Sequence, residues 1–198
     1  EFYLGGEGAQ ADTLITCGGP QSNHCRVTAA TAAQLGMGCI LIVNGQPPDP
    51  PTGNALLMNL FGAEIRVVKE RGDRAPAMDR AAAEVESAGG IPLVIPLGAS
   101  TPLGALGYVR AALELDRQME ERGRWPRGLT WIFISSSSCG TLAGLALGFS
   151  ILGRENVRLV GVSPDVSAEE MRTVTAEIAR GSAELLGWKG EILPNLVT

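Results

Sequence analysis

Residues Asp12–Val43 read DTLITCGGPQSNHCRVTAATAAQLGMGCILIV, and three patterns follow one another in that stretch. "DTLIT" (Asp12–Thr16) is a short β-prone run. Cys25–Leu35 carries alanines at helical spacing and stops at Gly36, a residue suited to end a helix. "CILIV" (Cys39–Val43) is an almost unbroken apolar run, as expected of a strand buried on both faces of a sheet. Strand, helix and doubly buried strand in succession predict a parallel α/β unit.

The alternation continues outward. A proline-rich loop (Gln46–Thr52) leads to "GNALLMNLFG", a short helix with Gly62 just past its end, and "EIRVV" (Glu64–Val68) is the next strand. A helix is predicted over Ala75–Ala88, stopped by Gly89-Gly90, then a short proline-flanked strand, "PLVIP" (Pro92–Pro96). Ser100 or Thr101 before Pro102 signals the start of a helix that ends at Gly123. "LTWIFI" (Leu129–Ile134) reads as a buried strand, "SSSSCG" as a loop and Thr141–Leu152 as an apolar helix. "RLVGVS" is a further strand and Ser167–Leu186 an amphipathic helix. The fold class is therefore α/β, with parallel sheets and flanking helices.

Composition narrows the function. The 198 residues are 45% hydrophobic and 19% charged, as in a globular chain and unlike a disordered one. A net charge of −5 without a basic patch argues against nucleic acid as a partner, and no apolar run is long enough to span a bilayer. The four cysteines have no Cys-x-x-Cys spacing and there is a single histidine, His24, so a zinc site is not expected. They read as reduced, buried thiols of a cytoplasmic protein. The opening "EFYLGGEGAQ" reads like the middle of a helix and the closing "EILPNLVT" like the start of an element, so the chain is expected to be a fragment.

Two loops are candidates for chemistry, because ligands of open α/β sheets bind beyond the carboxyl ends of strands. In "CGGPQSNH" the glycines let the backbone approach a ligand, and Ser22 or Asn23 can cap the following helix. The helix start can attract a carboxylate or phosphate, or the loop can be a cap and nothing more. "SSSSCGTLAG" offers small hydroxyls and backbone N–H groups as a phosphate cup, although no Gly-Lys-Ser/Thr follows and no G-x-G-x-x-G occurs. A hydrolase triad on Ser22 is not supported: His24 stands two residues on, where helical side chains do not face each other, and no G-x-S-x-G is present.

Together, "LITCGGPQSNHCRVTAATAAQLGMGCILIV", "GNALLMNLFGAEIRVV", "IPLGASTPLGALGYVRAA" and "SSSSCGTLAGLALG" resemble, in order and spacing, a known family. It is that of the pyridoxal-phosphate enzymes of the tryptophan-synthase-β fold type (fold type II). The likeness is greatest to the D-cysteine desulfhydrase and 1-aminocyclopropane-1-carboxylate (ACC) deaminase group. The resemblance implies pyridoxal 5'-phosphate as cofactor, held by Asn23 at its phenolic oxygen and by Ser138, Cys139, Gly140 and Thr141 at its phosphate. It implies that Gln21, Ser22 and His24 bind the substrate, a small amino acid, through its carboxylate. Residues 1–15 and 125–198 would be parts of a large domain, 16–124 mainly a small one, incomplete at both ends, and the full-length protein a homodimer. The family's Schiff-base lysine stands in an Asn-Lys-x-Arg-Lys-Leu motif and is expected upstream of Glu1; Lys69 and Lys189 lie in other contexts, so no catalytic residue is assigned within the chain.

The phosphate loop of the family reads Ser-Gly-Ser-Gly-Gly-Thr, whereas Ser137 and Cys139 stand here for two of its glycines. A positive φ at either would strain the loop by about 1 kcal/mol or more. ACC deaminases of the group usually carry glutamine where this chain has His24 and desulfhydrases carry histidine. That favours a lyase converting D-cysteine to pyruvate, sulfide and ammonia. ACC deaminase, and a non-catalytic α/β binding module without the lysine, remain as alternatives.

Overall fold

The computed structural model describes residues 10–126, 128–163, 166–192 and 196–197. The opening segment, expected to be mid-helix, lies almost wholly outside the described residues, as does half of the closing one. The chain divides into two bodies, the first ending at Ala99 and the second starting at Ser100.

In the first body four parallel strands, β1 (Thr13–Gly18), β2 (Gly38–Asn44), β3 (Glu64–Val68) and β4 (Pro92–Val94), pair in the order β3-β2-β1-β4. They alternate with α1 (Asn23–Leu35), α2 (Gly53–Leu60) and α3 (Arg74–Ser87). The apolar run in β2 is divided by the pleat. Cys39, Leu41 and Val43 join Leu14 from β1 in a cluster with α1 and α2, while Ile40 and Ile42 join Ile15 and Cys17 against α3. Each face of the sheet therefore has a cover, which is why polar residues are nearly absent from β1 and β2.

The strand order also locates a crevice. The chain steps from β1 through β2 to β3, then reverses and lays β4 on the other side of β1. Right-handed crossovers put helices of opposite direction on opposite faces, and α3 accordingly contributes to the second cluster, apart from α1 and α2. The reversal between β1 and β4 is the place where such sheets bind ligands, and the loop after β1 opens there.

The second body holds three parallel strands, β5 (Thr130–Ser135), β6 (Val157–Val162) and β7 (Leu196–Val197), with α4 (Pro102–Glu121), α5 (Gly140–Ile151) and α6 (Ala168–Leu185). The apolar α5 is the centre of the core: Leu142, Leu147 and Phe149 are fully buried, and the helix packs on both α4 and α6. One face of β5 is different. Trp131 is 51% and Phe133 71% exposed, while Ile134, on the opposite face, joins the core.

Several boundaries differ from the sequence reading. β1 runs on to Gly18, so that Cys17, expected in the loop, is strand and buried. α1 begins at Asn23, two residues early, because Ser22 caps it. The division at Ala99/Ser100 places α4 in the second body. All four cysteines are free and buried. Among the described residues no helix is long and apolar enough to cross a membrane, and no His/Cys/Asp/Glu group could hold a metal.

Candidate functional site

The first candidate loop joins β1 to α1. Gly18 ends the strand, and a Cβ there would lie 2.7 Å from both Cys25 Sγ and Ser22 Oγ, so only glycine lets the helix start fold over the strand end. Ser22 takes an extended conformation as N-cap, and its Oγ accepts from the Cys25 N–H at 3.2 Å. Its own O–H remains available to donate. No acidic residue lies in the first turn of α1, which suits an anion at this end.

Gln21 is turned toward α2. Its Nε2 donates to the Thr52 carbonyl at 3.0 Å, and its Oε1 accepts from the Asn54 N–H at 2.9 Å. The amide expected to hold a substrate carboxylate is thus engaged at both ends. Asn23, exposed at the first position of α1, receives a hydrogen bond from Asn54 Nδ2 on its Oδ1 at 2.9 Å. Its amide nitrogen is left to act as a donor.

His24 lies against Thr16, which is fully buried in β1. Thr16 Oγ1 donates to the Ile95 carbonyl at 2.7 Å and contacts His24 Nε2 at 2.7 Å. A hydroxyl has one proton, and the carbonyl can only accept it, so Nε2 must carry the hydrogen that Thr16 receives. The neutral ring then keeps its lone pair on Nδ1. Burial holds the His24 pKa below its ordinary value, which favours this neutral form.

The second candidate loop joins β5 to α5. Ser136 N–H bonds to the Val162 carbonyl at 2.9 Å, while its hydroxyl is buried without a hydrogen-bond partner among the described residues. Cys139, the N-cap position of α5, has φ 67° and makes no side-chain cap. It is one of two non-glycine residues with positive φ among those described, the other being Ala99; Ser137 is not among them. Of the two expected glycine replacements, Cys139 therefore carries the strain. Ser100 replaces the missing cap: its Oγ accepts from the Gly140 N–H at 3.2 Å and donates to Ser138 Oγ at 2.7 Å. A Cβ on Gly140 would fall 2.7 Å from Ser100 Oγ and 3.0 Å from its Cα, so this cradle requires glycine. Thr141, half-buried, follows in the first turn of α5, which holds no acidic residue.

Three supporting residues escaped the sequence reading: Thr16, Asn54 and Ser100. Only Ser100 left a signal. Two hydroxyl residues precede Pro102 and a helix needs one cap; Thr101 is the cap, accepting from the Gly104 N–H at 3.0 Å, which leaves Ser100 for the loop. Both loops present donors at helix starts free of acidic residues, a set that accepts anions and an electron-rich oxygen.

A family model described as "Pyridoxal-phosphate dependent enzyme" matches residues 5–188. The D-cysteine desulfhydrase of Klebsiella pneumoniae subsp. pneumoniae is 35% identical over 202 residues, covering 95% of this chain and 60% of that protein. That of Salmonella paratyphi B is 41% identical over 169 residues, covering 82% and 49%. The chain thus spans about half to three fifths of the length of these curated relatives. A solved structure described as an ACC deaminase homologue superposes with a TM-score of 0.81 at 37% identity, covering 96% of this chain and 56% of the other. The Escherichia coli diaminopropionate ammonia lyase, at 21% identity and a TM-score of 0.63, shares the fold.

Proposed function

The chain belongs to the pyridoxal-phosphate-dependent enzymes, and from that premise we propose that it carries the substrate loop and the phosphate loop of a D-cysteine desulfhydrase. The reaction takes D-cysteine and water to pyruvate, sulfide and ammonia. The observation that carries the reading is the donor set at the two helix starts. The unpartnered, buried Ser136 hydroxyl and the Gly140–Ser100 cradle at an α5 start that Cys139 does not cap suit a phosphate. The outward amide nitrogen of Asn23 suits a phenolic oxygen.

When bound, pyridoxal phosphate supplies an electron sink for the pair left on the substrate Cα as its proton departs. The residues of this chain bind and orient. Ser138, Cys139, Gly140 and Thr141 hold the phosphate through backbone N–H groups and hydroxyls at the α5 start. Asn23 donates to the phenolic oxygen and so stabilises negative charge there. Ser22 donates its hydroxyl proton to the substrate carboxylate, helped by the α1 start. Gln21 holds the loop to α2. His24, neutral with its lone pair on Nδ1, has no hydrogen there for the carboxylate it was expected to bind, and instead accepts a hydrogen from the substrate's ammonium or thiol group. Lys69 and Lys189 are both exposed and stand in neither loop, so neither is given the proton-moving role in this reading. The larger assembly is a homodimer.

The histidine and the named relatives favour D-cysteine; the ACC deaminase homologue favours a second reading, cyclopropane opening by the same loops. Assaying the full-length protein with both substrates separates them. Sulfide and pyruvate formed from D-cysteine in equal amounts are expected. A 2-oxo acid from ACC with no sulfide from D-cysteine would establish the deaminase, and a folded protein that takes up no cofactor would leave only a binding module.

A further inference from the structure

Donor and acceptor roles can be propagated through the contact between the loop after β1 and the start of α2, beginning from backbone groups whose roles are fixed. The Asn54 N–H can only donate, so the atom of Gln21 facing it is Oε1, and the other end of that amide, Nε2, meets the Thr52 carbonyl. The Gln21 carbonyl can only accept, so the Asn54 atom 2.9 Å from it is Nδ2. That same Nδ2 lies 2.9 Å from the side chain of Asn23, whose facing atom must then be Oδ1. Arg26 Nε donates to Asn54 Oδ1 at 3.4 Å, in agreement with this orientation. The amide of Asn23 is therefore set by a chain of fixed groups, although an isolated asparagine could turn either way.

We infer that Asn54 is a positioning residue: it fixes the Asn23 amide so that the NH2 group, and not the oxygen, is presented to the cofactor's phenolic oxygen. This rests on the function proposed above. A reversed amide would bring two electron-rich oxygens together and favour the protonated phenol. Asn54 touches neither cofactor nor substrate in this account; it acts through Asn23.

The test uses the full-length holoenzyme and two variants. Asn54→Asp places an acceptor where Nδ2 stood, so Asn23 should turn its nitrogen to the new carboxylate and its oxygen outward. Asn54→Ala removes the constraint without imposing the reverse. The readouts are cofactor dissociation, folding by circular dichroism and thermal unfolding, and the pH at which the visible band of the bound cofactor changes over. For Asn54→Asp the cofactor should bind on the order of 10-fold more weakly, the loss of one hydrogen bond to an ionised acceptor, and the changeover should move to higher pH. Asn54→Ala should shift both in the same direction by less, and it decides the matter alone if Asn54→Asp folds poorly. Lower stability with an unmoved changeover in a variant that folds, while Asn23→Ala moves it, would overturn the inference and leave Asn54 as a brace for α2. A wild-type protein that binds no cofactor would instead overturn the function proposed above, and this inference with it.

Discussion

After β1 the chain enters α1 through Ser22 in an extended conformation, capped by its own side chain, whereas after β5 it enters α5 through Cys139 in the left-handed region with no side-chain cap. The helix cap of the first loop comes from a neighbour in sequence, Ser22 to Cys25, while Asn54 braces the loop from 31 to 33 positions away. The second takes its cap from Ser100, which stands 40 positions before Gly140. A cap supplied within the first turn should survive change elsewhere in its body, while a cap supplied from a distance depends on close approach of two segments. Substitutions at each can sharpen or break that contrast.

The largest effect is expected at Gly140. Gly140→Ala must push against the Ser100 backbone as well as its hydroxyl; such overpacking destabilises by about 3 kcal/mol. Denaturant titration measures it, and a variant as stable as the parent would show that the Ser100 segment yields easily. Next comes Thr16→Val, which leaves the Ile95 carbonyl and His24 Nε2 without their shared partner and should lower stability by about 2 kcal/mol.

His24 adds a pH dependence. Burial lowers its folded-state pKa below the ordinary 6.5, so as pH falls through that value the unfolded chain takes up the proton first. Stability should therefore fall on acidification below about 6.5, level off once the folded ring is also charged, and rise again with pH. In His24→Gln that part of the slope should vanish, which unfolding curves between pH 5 and 7 would reveal (roughly the range where histidine titrates). Ser22→Ala should cost about 1 kcal/mol as a lost cap and, if the function proposed above holds, lower D-cysteine turnover by the full-length protein far more than cofactor affinity. Equal loss of both would make Ser22 a cofactor ligand.

The smallest effect is expected from Cys139→Gly. Relief of about 1 kcal/mol of left-handed strain is offset by greater freedom in the unfolded chain and by loss of a buried thiol, so the midpoint of unfolding should hardly move. A clear loss of stability would mean that the thiol's packing outweighs the strain.

The same contrast explains what could be read from the sequence. Asp12–Val43 was legible because period and burial agree: Ile40 and Ile42 face α3, Leu41 and Val43 face α1 and α2, and no polar residue interrupts them. Ser22 was legible as a cap because capping is local. Ser100 as a partner of Gly140, and Thr16 as a partner of His24, were not, because nothing in a strand or a loop announces which distant group it will meet. The conformation of Cys139 could be posed as a question from the replaced glycine, and only the folded backbone answers it. The exposed Trp131 and Phe133 of β5 also misled, since a run such as "LTWIFI" gives the same signal whether one face or both are covered.

The buried thiols of the first body have a kinetic consequence. Burial pushes Cys25 up to about 11 and Cys39 up to about 12, and raises Cys17 despite the nearby Arg74 guanidinium. Only the thiolate attacks an alkylating agent or a disulfide, and at neutral pH Cys25 and Cys39 hold on the order of one part in ten thousand or less in that form. Their sulfurs lie in the clusters between the sheet and α1, so a reagent reaches them only when those elements part. The rate at which a colourless disulfide reagent turns yellow on this chain would accordingly record how often the sheet and its helices separate, with each cysteine serving as a timer for the element that covers it.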